Sequence, residues 1–552
     1  MGTGAFVSVA GAPPDDRERD RSEDAYEDDL VAQFLKGGTY KGVAEQRLSP
    51  AEERFERGRR SAGLILAPLG FLIMILLPLG LEDQKQHTLA AVLVLVVILW
   101  ITEAVPIPVG GLIGVALLVL LGVGSGDDVL APFGSSTIFV FIGAFIIAQA
   151  MLEHGVARRF AFRMLAMRWV GKSTRNTVVA FGLIAAILSA FVSNTATVAM
   201  LLPTAIAILA TLVGLMKNQG EGGQNFDPRR MRVGVALMLM LAYGAGVGGL
   251  LTPVGSPPNL IGRGLIEEAT DETITFFDWI LAAAPVCIAM FIVLAIVLLL
   301  LNKPEVKRLE GIEDYVADER RKLGSMSRKE KNTLIAFGTA VTLWIVPGIV
   351  GIIAGDTSKT YEDVVERLDE GIVAVLAASL LFLLPTDWKK REFTLTWGQA
   401  SRIDWGTILL FGSGIIFGSM LQDTGLAETI GKSSSDALGI SSTLAITIFA
   451  VLLAILISET TSNTASASIV VPIVLPIASA AGVDPFVPAL AATFAASFGF
   501  MLPVSTPQNA IVYGSGVVPI TKMLRSGAVF DVLGALLILA LLPLMVSVLN
   551  LG

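Results

Sequence analysis

One short polar tripeptide occurs twice, each time inside a long apolar stretch: Ser193-Asn194-Thr195 and Ser462-Asn463-Thr464. Hydroxyl and amide groups enter a bilayer core only with partners, because an unpaired one costs several kcal/mol there. A polar break that recurs in both halves of a hydrophobic chain points to a transport site.

The composition sets the class. Hydrophobic residues make up 53% of the chain, charged residues only 16%, and the mean hydropathy is +0.71. A soluble chain carries about 25% charged residues. Many runs exceed the ~18 apolar residues that suggest a spanning helix. The expected fold class is an all-α polytopic membrane protein. Charge crowds into residues 1–60 and into Asn302–Asn332. The first block mixes both signs and reads as a disordered or surface-lying tail without the form of a cleaved signal peptide. The single Cys287 excludes an intrachain disulfide, and His87 with His154 is too little for a histidine metal cluster.

Apolar runs predict eleven spans: about 62–79, 88–105, 109–123, 133–152, 233–266, 279–301, 333–353, 372–384, 407–421, 487–512 and 528–549. Two further pairs of apolar arms, 177–192 with 196–215 and 444–461 with 465–481, flank the tripeptides. Each arm of roughly 16–20 residues is about 24–30 Å long as helix, so a re-entrant hairpin and two short spans both fit. If each pair enters and leaves on one side, Lys and Arg concentrate on the side of the tail and the central linker. The positive-inside rule then puts the amino terminus in the cytoplasm and the carboxyl terminus outside. Residues 158–175, where Arg158, Arg159, Arg163, Arg168 and Lys172 alternate with Phe160, Phe162, Leu165 and Trp169, read as an amphipathic interfacial helix rather than a nucleic-acid patch.

The halves match beyond the tripeptide. Gly143-Ala-Phe-Ile-Ile147 parallels Gly412-Ser-Gly-Ile-Ile416, and Pro253-Val-Gly-Ser-Pro-Pro-Asn259 parallels Pro503-Val-Ser-Thr-Pro-Gln-Asn509. Five spans plus a hairpin per half turn the second copy upside down, so the matching breaks face one another near mid-membrane. A broken helix offers N–H groups at one end and C=O groups at the other. The first end attracts anions; the second suits a small hard cation such as sodium. Asn194, Thr195, Asn463 and Thr464 add neutral donors and acceptors, and no lysine or arginine falls inside the motifs.

Glu459 is the one acid beside a tripeptide, and it reads as a hydrogen-bonding brace for the hairpin in preference to a proton acceptor. Trp100 and Glu103, before Pro106, mark a span end, and Asp404 reads as interfacial. An intramembrane hydrolase would need a base beside its serine, which no histidine or lysine supplies. A passive anion channel is the other rival class.

These motifs, with Trp100-Ile-Thr-Glu-Ala-Val-Pro106, resemble the divalent anion/sodium symporter family of sodium–dicarboxylate, citrate and sulfate carriers, over roughly residues 60–552. The resemblance implies a homodimer working as an elevator, with two or more sodium ions. It divides the chain into a tail (1–60), scaffold (61–175 and 332–440), transport domain (176–302 and 441–552) and cytoplasmic linker (303–331). One sodium would be held by Ser189, Ser193, Asn194 and Gly255, and a second by Ser458, Thr461, Asn463 and Ser505. Substrate carboxylates would meet Asn194, Thr195, Ser256, Asn463, Thr464, Thr506 and Pro507. The implied activity is import of a divalent anion, a C4 dicarboxylate such as succinate, malate or fumarate first. A sodium-independent exchanger or a sulfate carrier is the alternative. Basic side chains replace sodium in some exchangers of the family, whereas the matching positions here are uncharged.

Overall fold

Apolar runs of this length leave the backbone no partners but its own, so the chain must coil into helices wherever it crosses lipid. A computed structural model describes residues 50–78, 83–218, 231–270, 272–307, 312–355, 358–438 and 442–549. Among them the only strands are Pro385–Asp387 and Glu392–Phe393, a small hairpin that carries Lys389, Lys390 and Arg391 at its turn. Ten helices of the described residues are long and apolar enough to cross a membrane. The protein is an all-α polytopic membrane protein. The expected tail falls mostly outside the described residues.

Every expected span contains a helix, with two adjustments. The first helix, Pro50–Leu76, starts inside the expected tail. Proline is pre-organised for a helix's first position, and Glu56 then pairs with Arg59 one turn on, at 2.8 Å. The helices Ile107–Leu120 and Glu370–Leu383 have only 14 residues each, less than a full crossing. The spans at 233–266 and 487–512 are each interrupted, as expected near 252–259 and 503–509. The first becomes Arg232–Gly249 and Pro257–Thr270 around a short 3-10 turn at Pro253–Gly255. The second becomes Phe486–Ala495 and Pro507–Gly514, joined by unwound chain.

The helix Arg232–Gly249 lies at the centre and is almost wholly buried. It packs backbone to backbone on the helix Thr174–Ser189. A Cβ on Gly244 would stand 2.7 Å from the Gly182 carbonyl, and one on Gly248 would strike Ala186. Small residues four apart allow this close approach, on which helix association in lipid depends. The halves also interlock. The helix Asn194–Asn218 packs on Pro507–Gly514, and Asn463–Ala480 packs on Pro257–Thr270. Each tripeptide helix thus lies against the far piece of the other half's broken span.

The arginine-rich segment differs from expectation. Within 158–175 the helix Val156–Leu165 ends at Leu165, the chain turns, and the next helix starts at Thr174; the arginines of the first reach protein as well as surface. Arg158 pairs with Glu319 at 2.8 Å, while Arg159 pairs with Glu330 and donates to the carbonyls of Leu323 (3.0 Å) and Gly324 (2.9 Å). The central linker is therefore ordered around these arginines, with its own helix Ile312–Leu323. A helix at Leu426–Leu438 follows Gly425 just as Val156–Leu165 follows Gly155, and both glycines take positive φ (73° and 75°). A glycine soon after Met151-Leu152 and Met420-Leu421, four residues past the methionine in the first half and five in the second, is the available signal for this second helix.

Trp100 and Glu103 do close a span. Glu103 caps the helix Gln84–Thr102 in the left-handed conformation and meets Arg59 at 3.4 Å. Trp100 donates to the Ile107 carbonyl across the turn at 3.0 Å. Asp404 caps the helix Trp405–Asp423.

Candidate functional site

Each tripeptide sits where one helix ends and the next begins, so its polar groups meet backbone that helices leave unpaired. In the first half the helices are Thr174–Ser189 and Asn194–Asn218; in the second they are Thr443–Thr460 and Asn463–Ala480. Ser193 and Ser462 cap the second helix of each pair, accepting from Ala196 N and Ala465 N, both at 3.2 Å.

The same internal bonds recur in both halves. Ser189 donates its hydroxyl to the Asn194 side-chain oxygen, and Ser458 donates to that of Asn463 at 2.7 Å. Asn259 donates its amide to the Gly249 and Thr252 carbonyls, at 2.7 and 2.8 Å. Asn509 donates to Gly499 and Leu502, at 2.7 and 3.2 Å. Each asparagine ties the two pieces of its broken span together.

Around Gly255 oxygens converge. A Cβ there would lie 2.6 Å from the Gly249 carbonyl, 2.9 Å from that of Ala190 and 3.0 Å from that of Ser189. A Cβ on Gly249 would lie 2.5 Å from Asn194 Oδ1. Only glycine leaves this cradle of carbonyl and amide oxygens open, and such neutral hard ligands suit sodium. Ser189, Asn194 and Gly255 are brought together as expected. The Ser193 hydroxyl is instead engaged as a helix cap on an exposed residue. Sequence reasoning did not find the carbonyls of Ala190 and Gly249, because backbone oxygens carry no residue signature.

The second half builds its cradle around Gly499, where a Cβ would lie 3.0 Å from Asn463 Oδ1, 3.2 Å from Ser458 Oγ and 2.9 Å from Ser505 Cβ. Ser458 also donates to the Ala496 carbonyl at 2.8 Å, and Asn463 donates to Ser497 O at 3.3 Å. The Thr461 hydroxyl donates back to Ile457 at 2.7 Å. Here Glu459 stands where the first half has Ala190, and Ser505 where it has Gly255. The Glu459 carboxylate accepts from Met501 N (2.7 Å), Leu502 N (3.2 Å) and Ser505 Oγ (2.7 Å). It ties the turn between the helices Thr443–Thr460 and Asn463–Ala480 to the unwound strand.

Four helices start at these motifs: Asn194–Asn218, Pro257–Thr270, Asn463–Ala480 and Pro507–Gly514. Their N-terminal ends carry positive partial charge without a basic side chain. Asn194, Ser256 and Thr506 are buried, while Thr195, Asn463, Thr464 and Pro507 are half-buried. Arg263 is engaged elsewhere. It is buried with Glu267 at 3.0 Å and Glu370 at 2.6 Å, beside a cavity of about 360 Å³ lined by Ser136, Asp369 and Glu370 among others. That cavity lies about 9 Å further along the helix from Pro257, away from the tripeptides.

Comparison with known proteins adds four findings. The family described as "Sodium:sulfate symporter transmembrane region" matches residues 59–550. The sodium-dependent dicarboxylate transporter SdcS of Staphylococcus saprophyticus is 32% identical over 472 residues, covering 84% of this chain and 87% of that protein. SdcS of Staphylococcus aureus strain NCTC 8325 is 31% identical over 486 residues, covering 86% and 89%. Among solved structures, MtrF of Neisseria gonorrhoeae is similar in fold alone, with a TM-score of 0.51 and 13% identity over 83% of this chain and 95% of that one.

Proposed function

Because the chain belongs to the sodium:sulfate symporter family, the divalent anion/sodium symporters, we propose that it is a sodium-coupled secondary active transporter of divalent anions, with C4 dicarboxylates such as succinate, malate and fumarate as substrates. The observation that carries this reading is the duplicated oxygen cradle beside helix N-termini. It supplies neutral oxygens for cations and backbone N–H groups for an anion in one place.

In this reading one sodium binds Ser189, Asn194 and the carbonyls around Gly255. A second binds Ser458, Asn463, Thr461 and Ser505. The ions order the two tripeptide turns, and the substrate's carboxylates then meet Asn194, Thr195, Ser256, Asn463, Thr464, Thr506 and Pro507. Binding sodium first explains why no lysine or arginine is needed: the ions themselves offset the substrate's charge. The two halves form inverted repeats, the arms are re-entrant hairpins, and residues 176–302 and 441–552 move as an elevator against the scaffold of a homodimer. The protein sits in the cell membrane with its amino terminus in the cytoplasm.

The test is uptake of radiolabelled succinate into proteoliposomes with and without an inward sodium gradient. Accumulation that needs the gradient supports the reading. Uptake indifferent to sodium rejects the coupling and selects an exchanger if internal succinate accelerates it. Competition by sulfate with no effect of succinate selects a sulfate carrier.

A further inference from the structure

The helix Ile520–Leu549 carries an acid that the site described above does not use. One face of this helix lies on the second unwound strand: Gly527 abuts the Phe500 carbonyl and the Met501 backbone, and Gly534 abuts the Phe498 ring. Asp531 falls between these glycines at helical spacing, so it shares their face. Its carboxyl lies beside that of Glu459. It is 4% exposed, and neither of its oxygens has a hydrogen-bond donor. The buried Tyr243 gives its hydroxyl to the carbonyls of Phe500 (2.5 Å) and Met523 (3.3 Å), not to this acid. Among the described residues no lysine or arginine pairs with either carboxyl.

Two neighbouring buried carboxyls without a cation are an incomplete arrangement. Glu459 already accepts three hydrogen bonds, and Asp531 places a second carboxyl beside it in the interior with no basic side chain among the described residues to compensate the pair. The ligands on offer are hard oxygens: both carboxyls, and the carbonyls that unwound backbone leaves free. We propose that Glu459 and Asp531 hold a further sodium ion beside the second cradle, tying the helix Ile520–Leu549 to the unwound strand. The inference rests on the reading above, in that the coupling ion is sodium. This site alone places formal negative charge on its ion, so it fills at the lowest sodium concentration.

Two measurements on the full chain in detergent test it. The first is thermal stability against sodium concentration, with potassium making up the ionic strength, for the unaltered protein and Asp531→Asn. Each ion bound only by the folded protein adds to the slope against ln[Na+]. Asp531→Asn is expected to lose one ion's share of that slope. An unchanged slope overturns the proposal, as does a variant altered only in its pH dependence, since a proton then occupies the pair. The second uses unaltered protein and so does not depend on the variant folding. Labelling of Glu459 and Asp531 by a hydrophobic carbodiimide, read by mass spectrometry, is expected to be slowed by sodium and not by potassium. Equal labelling in the two salts overturns the site. Sodium-independent uptake by the unaltered protein defeats the transport reading; sodium-dependent uptake with an unchanged slope and equal labelling defeats this site alone.

Discussion

Asn259 and Asn509 make the same clamp: each donates its side-chain amide to the carbonyl ten residues before it and to the carbonyl seven residues before it. Both are buried to about 1% exposure or less, so no water replaces the bonds. A buried carbonyl left without its donor costs about 1–3 kcal/mol. Asn259→Ala and Asn509→Ala are each expected to lower the melting temperature of the purified protein measurably. Both should also reduce sodium-driven uptake, since the broken spans lose their fixed angle. A variant as stable as the unaltered protein would show that the clamp is idle.

Gly255→Ala tests the first cradle. Its new Cβ would press on three carbonyl oxygens at 2.6 to 3.0 Å. Moving even one ligand by a few tenths of an ångström is expected to cost more than about 1.4 kcal/mol, which raises half-saturating sodium about tenfold. Gly398→Ala, where a Cβ meets nothing within 4 Å, is the control and should leave the sodium dependence unchanged.

Asn194→Ala and Asn463→Ala remove the amide oxygens that Ser189 and Ser458 address. Each is expected to abolish succinate uptake while the protein still elutes as a folded species in gel filtration. Loss of uptake from only one of the two would mean that the halves do not contribute alike.

Arg263 and Glu370 link the helices Pro257–Thr270 and Glu370–Leu383 at 2.6 Å, and Glu370 also accepts from Phe276 N at 2.6 Å. Arg263→Met leaves the half-buried Glu267 and Glu370 without their shared cation, a loss expected to fall below the about 3–5 kcal/mol of a fully buried pair. Adding Glu370→Gln to it should recover part of that loss. A double-mutant cycle on thermal stability reads the coupling directly; additive effects would mean the pair contributes nothing.

The linker's docking is expected to depend on pH. The hydrogen bond from Lys322 holds the Glu319 carboxyl below its ordinary 4.5, against the effect of burial and with help from Arg158. The sign follows from that depression: the contribution is complete above the unfolded value and is lost as pH falls through the lower folded value. The protection factor for hydrogen exchange in Ile312–Leu323, measured against the intrinsic rate at each pH, is therefore expected to stay high at neutral pH and fall on acidification through the carboxylate range. Glu319→Gln should show a lower protection factor at neutral pH and lose that dependence.

Much of the site was legible because its signals are chemical. Asparagine, serine and proline stand out in an apolar run, and their duplication at matched spacing separates them from chance kinks. Glu459 could be read as a brace from its place beside Ser462. Two parts were not legible. The carbonyls of Ala190 and Gly249 belong to residues with no polar side chain, so nothing in the residue types marks them. Asp531 follows Phe530 in an otherwise ordinary span, and its partner is far away along the chain. The helix Leu426–Leu438 is illegible for a related reason: its apolar content is too low for a span, and only a glycine near the end of the preceding span, at a spacing one residue longer than in the first half, ties it to Val156–Leu165.

Taken alone, the order of residues determined the class of the protein, the position of each span and the points where two of those spans must break. Hydropathy and proline act locally, within a turn or two of helix, so they can be read without knowing what packs where. Tertiary structure decided which oxygens gather around Gly255 and Gly499, which acid stands beside Glu459, and which half-helix lies against which tripeptide. Those outcomes depend on glycines such as Gly244, Gly248 and Gly527 letting distant backbones touch, and contact between distant segments is fixed only when the helices pack.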